Sequence, residues 1–566
     1  MRLLSMRRCA RLALAALVLL PAGAAAQTPT APAPRVFTRA DTLRGSNGPG
    51  RAWWDAEFYD LHVRVSPADS SVRGFNTITY RVLRPAQEMQ IDLQQPLEVD
   101  SVVQAGRRLA HRRDGNAFFV TLAAPPRAGS RGTLTVWYHG RWSRPAADTA
   151  RGGRAGAGPF HWEADSAGAP WIATSNEGPG ASTWWPLKDF PADEPDSQRI
   201  AITVPDPMID VSNGRLRATT RNGDGTTTYE WFVANPINSY NVAVNASAAY
   251  VPVRDTFAGA EGPLTIEFWA LRPHEAQARA LVPQAKTMLA CFERWFGPYP
   301  WYRDGYKLIE VPYLGMEHQS GIAYGNRYLP GYLGRDLSGT GEGLGWDYIV
   351  VHESAHEWWG NNVSAKDHAD MWIHESFGMY AEGLWLECTK GREAGERYLV
   401  GVRRMIRNDV PIIGAYGVHD VPRSQDRYPK GANMLLTMRA VVDDDAKWLA
   451  ALRAIQATYR HQTVTASQVR DLMSATTGVD LSKIFAQYLE TTQVPVLEYR
   501  FDGAKLSYRW TNVVPGFAMP VRVGLAAEGW TRLRPTTEWQ SAASSLPAGT
   551  ALRVDPVFYV TAQPAP

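Results

Sequence analysis

Cysteine is scarce in this chain, with 3 residues in 566. Cys9, Cys291 and Cys388 are too far apart for a zinc knuckle or a disulfide-dense scaffold, both of which need closely spaced clusters. Cys9 precedes the only long apolar run. Cys291 and Cys388 lie in helix-like stretches, and an oxidising compartment would permit one disulfide; the sequence leaves open whether they meet. An excess of one charge is also lacking. The formal net charge is +3, but Arg2, Arg7, Arg8 and Arg11 crowd the N-terminus, so the remainder is close to −1. Without a basic stripe, no nucleic-acid partner is expected. Long hydrophobic runs are missing except for Leu12 to Leu20, which is too short to cross a hydrocarbon core of about 30 Å. With arginines before it and Ala24-Ala25-Ala26 after it, that run reads as a secretory signal over residues 1–26. The expectation is export to the periplasm or the extracellular space, with no integral membrane segment after cleavage. Internal repeats and coiled-coil heptads are absent as well.

What is present suggests a multidomain α+β chain. Residues 27–50, rich in Pro, Ala, Thr and Gly, read as a flexible tether. Residues 51–252 carry short alternating runs such as Phe58 to Val65, broken by turn residues such as Ser66-Pro67-Ala68-Asp69. This pattern predicts an N-terminal antiparallel β-domain. Within it Arg151 to Gly158 is Gly-rich, but it lacks the lysine of a phosphate loop and reads as a mobile surface loop. Residues 253–493 turn mostly helical, with helices expected over His274 to Phe296, Gly345 to Trp359 and Asp370 to Leu386. Residues 494–566 return to short strands and predict a small C-terminal β-domain. Tryptophan is abundant at 21 residues, enough to fill large cores and line clefts.

The chemistry is concentrated in Val351-His352-Glu353-Ser354-Ala355-His356, an H-E-x-x-H pattern. Residues four apart share one helix face, so His352 and His356 can offer two imidazoles to one zinc ion. Glu353, one position on, stands beside the metal rather than on it, where it can take a proton from an attacking water. A catalytic zinc also needs a third protein ligand. Glu375, nineteen residues past His356, would be returned to the histidines by a helix, a turn and an antiparallel helix. His368 and His374 are its rivals. Glu375 is favoured because a His₂Glu set is a known catalytic zinc arrangement.

These residues resemble the gluzincin aminopeptidases of the M1 type, a family that includes aminopeptidase N and leukotriene A4 hydrolase. The zinc motif with Glu375 matches in type and spacing. Leu314-Gly315-Met316-Glu317-His318 is similar to the family's G-x-M-E-N loop. Tyr428-Pro429-Lys430-Gly431 is similar to its Tyr-x-Lys-Gly segment. Ser175-Asn176-Glu177 and Trp185-Pro186-Leu187-Lys188-Asp189 are similar to its amine-site segment. The resemblance implies a thermolysin-like, mostly helical catalytic domain and one zinc ion per chain held by His352, His356 and Glu375. It implies peptide substrates with a free N-terminus. Glu353 would be the general base and Tyr428 a donor to the oxyanion. Glu317, helped by Glu177, would hold the substrate ammonium, and Gly315 and Met316 would offer backbone groups to an extended peptide. Two features depart from the family. His318 stands where Asn is usual, and the large helical C-terminal domain of many relatives is missing. A thermolysin-type endopeptidase and a non-catalytic zinc- or peptide-binding scaffold are the competing readings.

Overall fold

Alternating burial along Trp54–Ser66 and Ser71–Val82 shows why the first third of the chain forms sheet: every second side chain enters one core. The computed structural model describes residues 36–142, 159–421, 424–526, 528–546 and 550–565. The signal-like residues 1–26 and the Gly-rich stretch Arg151 to Gly158 lie outside the described residues. The main sheet has eight strands. In order these are Arg215–Arg221, Thr226–Val233, Ser197–Pro205, Trp54–Ser66, Ser71–Val82, Arg131–Arg141, Glu98–Gln104 and Arg107–Leu109. Its pairings are antiparallel except that Trp54–Ser66 runs parallel to Ser197–Pro205. The intervening chain is long enough to make the crossover a parallel pair requires. Trp53, Trp54, Trp184 and Trp185 are fully buried in this core, so much of the tryptophan is packing. Two pieces of this region lead toward the later helices. The short strand Pro170–Thr174 runs directly into Ser175-Asn176-Glu177, and the single turn Ser239–Asn241, capped by the Asn238 side chain, carries Tyr240.

A second, five-stranded sheet follows in the order Tyr250–Gly259, Gly262–Leu271, Tyr306–Glu310, Ile322–Tyr324, Gly315–Met316. Gly315–Met316 is its edge. It pairs antiparallel with Ile322–Tyr324 on one side only.

Nine α-helices occur among the described residues: α1 (Arg39–Gly45), α2 (Glu275–Phe296), α3 (Tyr348–Ala355), α4 (Trp372–Lys390), α5 (Arg392–Gly401), α6 (Pro429–Val442), α7 (Asp445–Thr458), α8 (Ala466–Thr477) and α9 (Ser482–Leu489). None is long and apolar enough to cross a membrane. Helix α4 lies in the middle of this layer, packed on α2, α3, α5 and α6. Cys291 and Cys388 form a disulfide with Cα atoms 6.0 Å apart, tying α2 to α4.

One expectation needs correction. The tether does not extend to Gly50, because Thr38 and Asp41 form a reciprocal capping box that starts α1. Gly45 then sits so close that a Cβ there would fall 2.1 Å from the Val418 backbone, while Arg51 donates to the carbonyls of Arg44 and Ser46. The strands after residue 494 form the expected C-terminal β region, and their buried side chains pack with the helices. Leu497, Trp510, Val521 and Phe558 belong to the same buried cluster as the helices, and Arg403, just beyond α5, donates to the carbonyls of Val557 and Phe558.

Candidate active site

Helix α3 starts at an Asp347 cap, whose side chain accepts from the Val350 N–H. It is shorter than expected, ending at Ala355, and the chain then turns through Gly360 at φ +120. His356, which caps it, keeps helical geometry at φ −65 and ψ −18. The four-residue spacing therefore survives, and the Nε2 atoms of His352 and His356 lie 3.4 Å apart. Glu375, in the first turn of α4, brings Oε2 to 3.8 Å from His352 Nε2 and 3.5 Å from His356 Nε2. Donors held about 2.0–2.1 Å from a tetrahedral ion stand roughly 3.4 Å apart, so this triangle closes on an ion of zinc's size. A side chain at Gly378 would crowd it, since a Cβ there would lie 3.0 Å from His356 Cε1.

The surroundings fix which nitrogens face inward. His352 Nδ1 bonds Glu382 Oε1 at 2.7 Å, and the Tyr398 hydroxyl donates to Glu382 Oε2 at 2.5 Å. His356 Nδ1 bonds the Trp359 carbonyl at 2.9 Å. With both Nδ1–H groups directed outward, both Nε2 lone pairs converge with a carboxylate, a donor set made for a divalent cation. Burial would raise the Glu375 carboxyl, but His352, Arg427 and His356 outweigh it and hold it down at about 2.

The rival ligands are elsewhere. The Ala365 N–H donates to His374 Nε2 at 2.9 Å, which leaves the ring proton on Nδ1, 3.3 Å from the Tyr240 hydroxyl. Tyr240 in turn donates to Glu317 Oε1 at 2.9 Å. His374 thus orients the Glu317 carboxylate through a tyrosine, and burial keeps its ring neutral by lowering its pKa to about 3. His368 packs edge-on against His419, with ring centroids 5.0 Å apart.

The remaining predicted residues do meet at the triangle. Carboxylate oxygens of Glu317 and Glu353 and a ring nitrogen of His356 all lie within 4.8 Å of one another. Gly315 lets Glu353 approach, because a Cβ there would fall 2.9 Å from Glu353 Oε1. The Tyr428 hydroxyl donates to Glu375 Oε1 in a short contact. Pro429 starts α6 at the first helical position, where its missing N–H costs nothing. Arg427 Nη2 spans 3.4 Å to Glu375 and 3.7 Å to Glu177, so Glu177 also reaches the site from the β-domain. Met316 is buried on the edge strand, where the Ser175 hydroxyl touches its sulfur at 3.8 Å. Burial first, then the neighbouring carboxylates, push Glu317 well up, and burial, opposed by the Arg427 charge, raises Glu177. Glu353 is raised to about 8, chiefly by burial. Four glutamates thus crowd one cleft with Arg427 among them, and a cation placed there would relieve the crowding and favour their charged forms.

The Peptidase M1 N-terminal domain model matches residues 55–241, and the Peptidase family M1 domain model matches residues 281–488. The two overlie the β-domain and the ligand-bearing helices, most of the chain between them. The chain belongs to peptidase family M1. Among curated proteins it is 21% identical to aminopeptidase N of Lactobacillus helveticus over 78% of this chain and 51% of that one. It is 26% identical to aminopeptidase B of Mus musculus over 56% of this chain and 46% of that one. The chain spans about a quarter to a half of the length of the first such relatives it matches. Among solved structures, the M1 zinc metallopeptidase of Deinococcus radiodurans superposes with a TM-score of 0.64 at 21% identity. That match covers 79% of this chain and 96% of the other, and it establishes the shared fold.

In this M1 chain the structure adds residues that sequence reasoning missed. Glu382 lies seven positions after Glu375, two turns along the same face of α4, and that spacing was a usable signal. Arg427 immediately precedes Tyr428. Tyr240 is 134 residues from His374 and had no local signal. His318, the departure from the family loop, is fully buried with neither ring nitrogen hydrogen-bonded, and burial lowers its pKa to about 3.

Proposed function

We propose that this chain is a zinc aminopeptidase that hydrolyses the first peptide bond of peptides with a free N-terminus, using one zinc ion held by His352, His356 and Glu375. The observation that carries this reading is the position of Glu317, a buried carboxylate within 4.8 Å of both Glu353 and His356. A free ammonium paired there, with Glu177 assisting, sets the first carbonyl over the ligand triangle. Such positioning supplies much of the rate. Zinc contributes a Lewis acid that polarises a carbonyl and makes water a stronger acid. Glu353 takes the proton of the attacking water and passes it to the leaving amine. The Tyr428 hydroxyl turns from Glu375 to the developing oxyanion, a donor of the kind typically worth about 2.7–4 kcal/mol. The open side of the edge strand Gly315–Met316 suits an extended peptide, which can pair with it as a further strand.

An endopeptidase has no use for the chain of contacts from His374 through Tyr240 to Glu317, and a scaffold has none for Glu353 and Tyr428. Export, to the periplasm or beyond the cell, is part of the same proposal. The signal-like residues 1–26 support it, and so does the disulfide between Cys291 and Cys388, which an oxidising compartment preserves. A panel of aminoacyl chromogenic substrates, assayed before and after chelation and again with zinc restored, tests the function. Turnover that disappears with the metal and returns with zinc is expected. Turnover indifferent to chelation would overturn the reading.

A further inference from the structure

The ligand triangle has two sides. Glu317, Glu177, Tyr240 and His374 lie on one. On the other a groove of about 860 Å³ opens, lined by Gly315, His352, Glu353 and Tyr428 but by none of the amine-site residues. A peptide whose ammonium sits at Glu317 and whose first carbonyl sits at the triangle has this groove beside its cleaved bond. Its volume falls in the range of ordinary ligand sites and leaves room for a few residues.

Three arginines line the groove, Arg335, Arg404 and Arg407. The main chain is fixed at Arg335 and Arg407, and the side chain is fixed at Arg404. Arg335 closes a tight turn with Tyr332 through two main-chain bonds of 2.9 and 3.1 Å. Arg404 donates to the carbonyls of Leu337 and Asp336, both at 2.8 Å. The main-chain N–H groups of Arg407 and Asn408 donate to the Asp426 carboxylate at 2.8 and 2.6 Å, two residues before Tyr428. Among the described residues no carboxylate lies within 4.0 Å of any of the three guanidinium groups. Two acids line the groove with them: Glu353 at the triangle, and Asp336, which directs its carboxylate to Ser338 and the Gly341 N–H. The leaving-group side of this acidic cleft is therefore cationic.

We propose that this groove binds a carboxylate of the leaving peptide, either the free C-terminus of a short peptide or an acidic side chain near the cleaved bond. The assignment rests on the aminopeptidase reading and adds its substrate class. Guanidinium groups with unpaired charge match a carboxylate in geometry as well as sign. An intact long chain without acids near its start gains nothing from them, so the enzyme prefers short or acidic peptides.

The test compares tri- and tetraalanine with their C-terminal amides, and Ala-Asp-Ala amide with Ala-Asn-Ala amide, on the wild-type enzyme. The expected result is a kcat/KM about ten-fold higher for the carboxylate-bearing member of at least one pair, mainly through KM. Exposed ion pairs that each contribute a few-fold combine to that size, and the ratio should shrink as salt is raised. A preference for the free acids assigns the C-terminus, and a preference for Asp over Asn assigns the side chain. In Arg335→Gln/Arg407→Gln the ratio should fall toward one; neither guanidinium hydrogen-bonds within the described protein, so the double variant is expected to fold. Ratios of one in every wild-type pair overturn the proposal, and so does a ratio that the double variant leaves unchanged. Turnover of the amides by the wild type reports the aminopeptidase reading separately.

Discussion

Glu382 offers the sharpest probe of how the metal site is assembled. It touches no metal position itself. Its Oε1 accepts from His352 Nδ1 at 2.7 Å, its Oε2 accepts from the Tyr398 hydroxyl, and it is fully buried. Two variants separate charge from geometry. In Glu382→Gln the amide oxygen can still accept from His352 if the amide nitrogen turns to Tyr398, whose hydroxyl can rotate to accept. The hydrogen bond survives and the negative charge is lost. In Glu382→Ala Tyr398 loses its acceptor and His352 Nδ1 keeps only the longer contact with the Tyr348 hydroxyl at 3.3 Å, so the ring is freer to change tautomer and turn. Groups that orient a ligand in this way typically govern about 10–100-fold in metal affinity, or roughly 1.4–2.7 kcal/mol. Glu382→Gln should fall at the lower end and Glu382→Ala at the upper. The assay is competition for zinc against a chromophoric chelator, with circular dichroism to confirm folding. Wild-type zinc affinity in folded Glu382→Ala would refute the claim that this carboxylate sets the His352 tautomer.

Further outcomes follow from the same geometry. Glu353→Gln should retain zinc and lose nearly all turnover, because an amide cannot take the proton; metal analysis beside a rate assay checks both halves. Tyr428→Phe should lower kcat by roughly 10²–10³ with little change in KM, the mark of a contact made in the transition state; a rise in KM alone would make the tyrosine a binding residue. Cys388→Ser removes a bridge between residues 97 apart in sequence. It should lower stability by about 2–4 kcal/mol, read as a lower midpoint in denaturant.

The triangle of His352, His356 and Glu375 was legible in the sequence because helical periodicity is local. His352 and His356 share a face wherever a helix forms, and a short connection to α4 leaves Glu375 few other places to go. The orienting groups were less so. Glu382 was readable in principle from its spacing on α4, whereas Tyr240 reaches Glu317 only through the docking of the β-domain on the helices, and no local pattern encodes such docking. The error over residues 38–50 has a similar origin. Their Gly-rich composition suggests a tether, but Gly45 is small because it lies against Val418, a partner far along the chain. The strands after residue 494 alternate as strands should, yet alternation does not say which core they share.

The central claim, that Glu317 reads a free N-terminus beside the hydrolytic centre, is tested most directly by the ratio of kcat/KM for a free peptide to that for its N-acetylated twin. A shielded, charge-assisted contact is worth about 1.5–3 kcal/mol, and acetylation also adds bulk where the carboxylate closes the cleft, so the ratio should reach about 10² or more. Glu317→Ala should collapse it, mostly by slowing the free peptide, while zinc content stays at the wild-type level. A ratio near one in the wild-type enzyme would contradict the account and favour an endopeptidase.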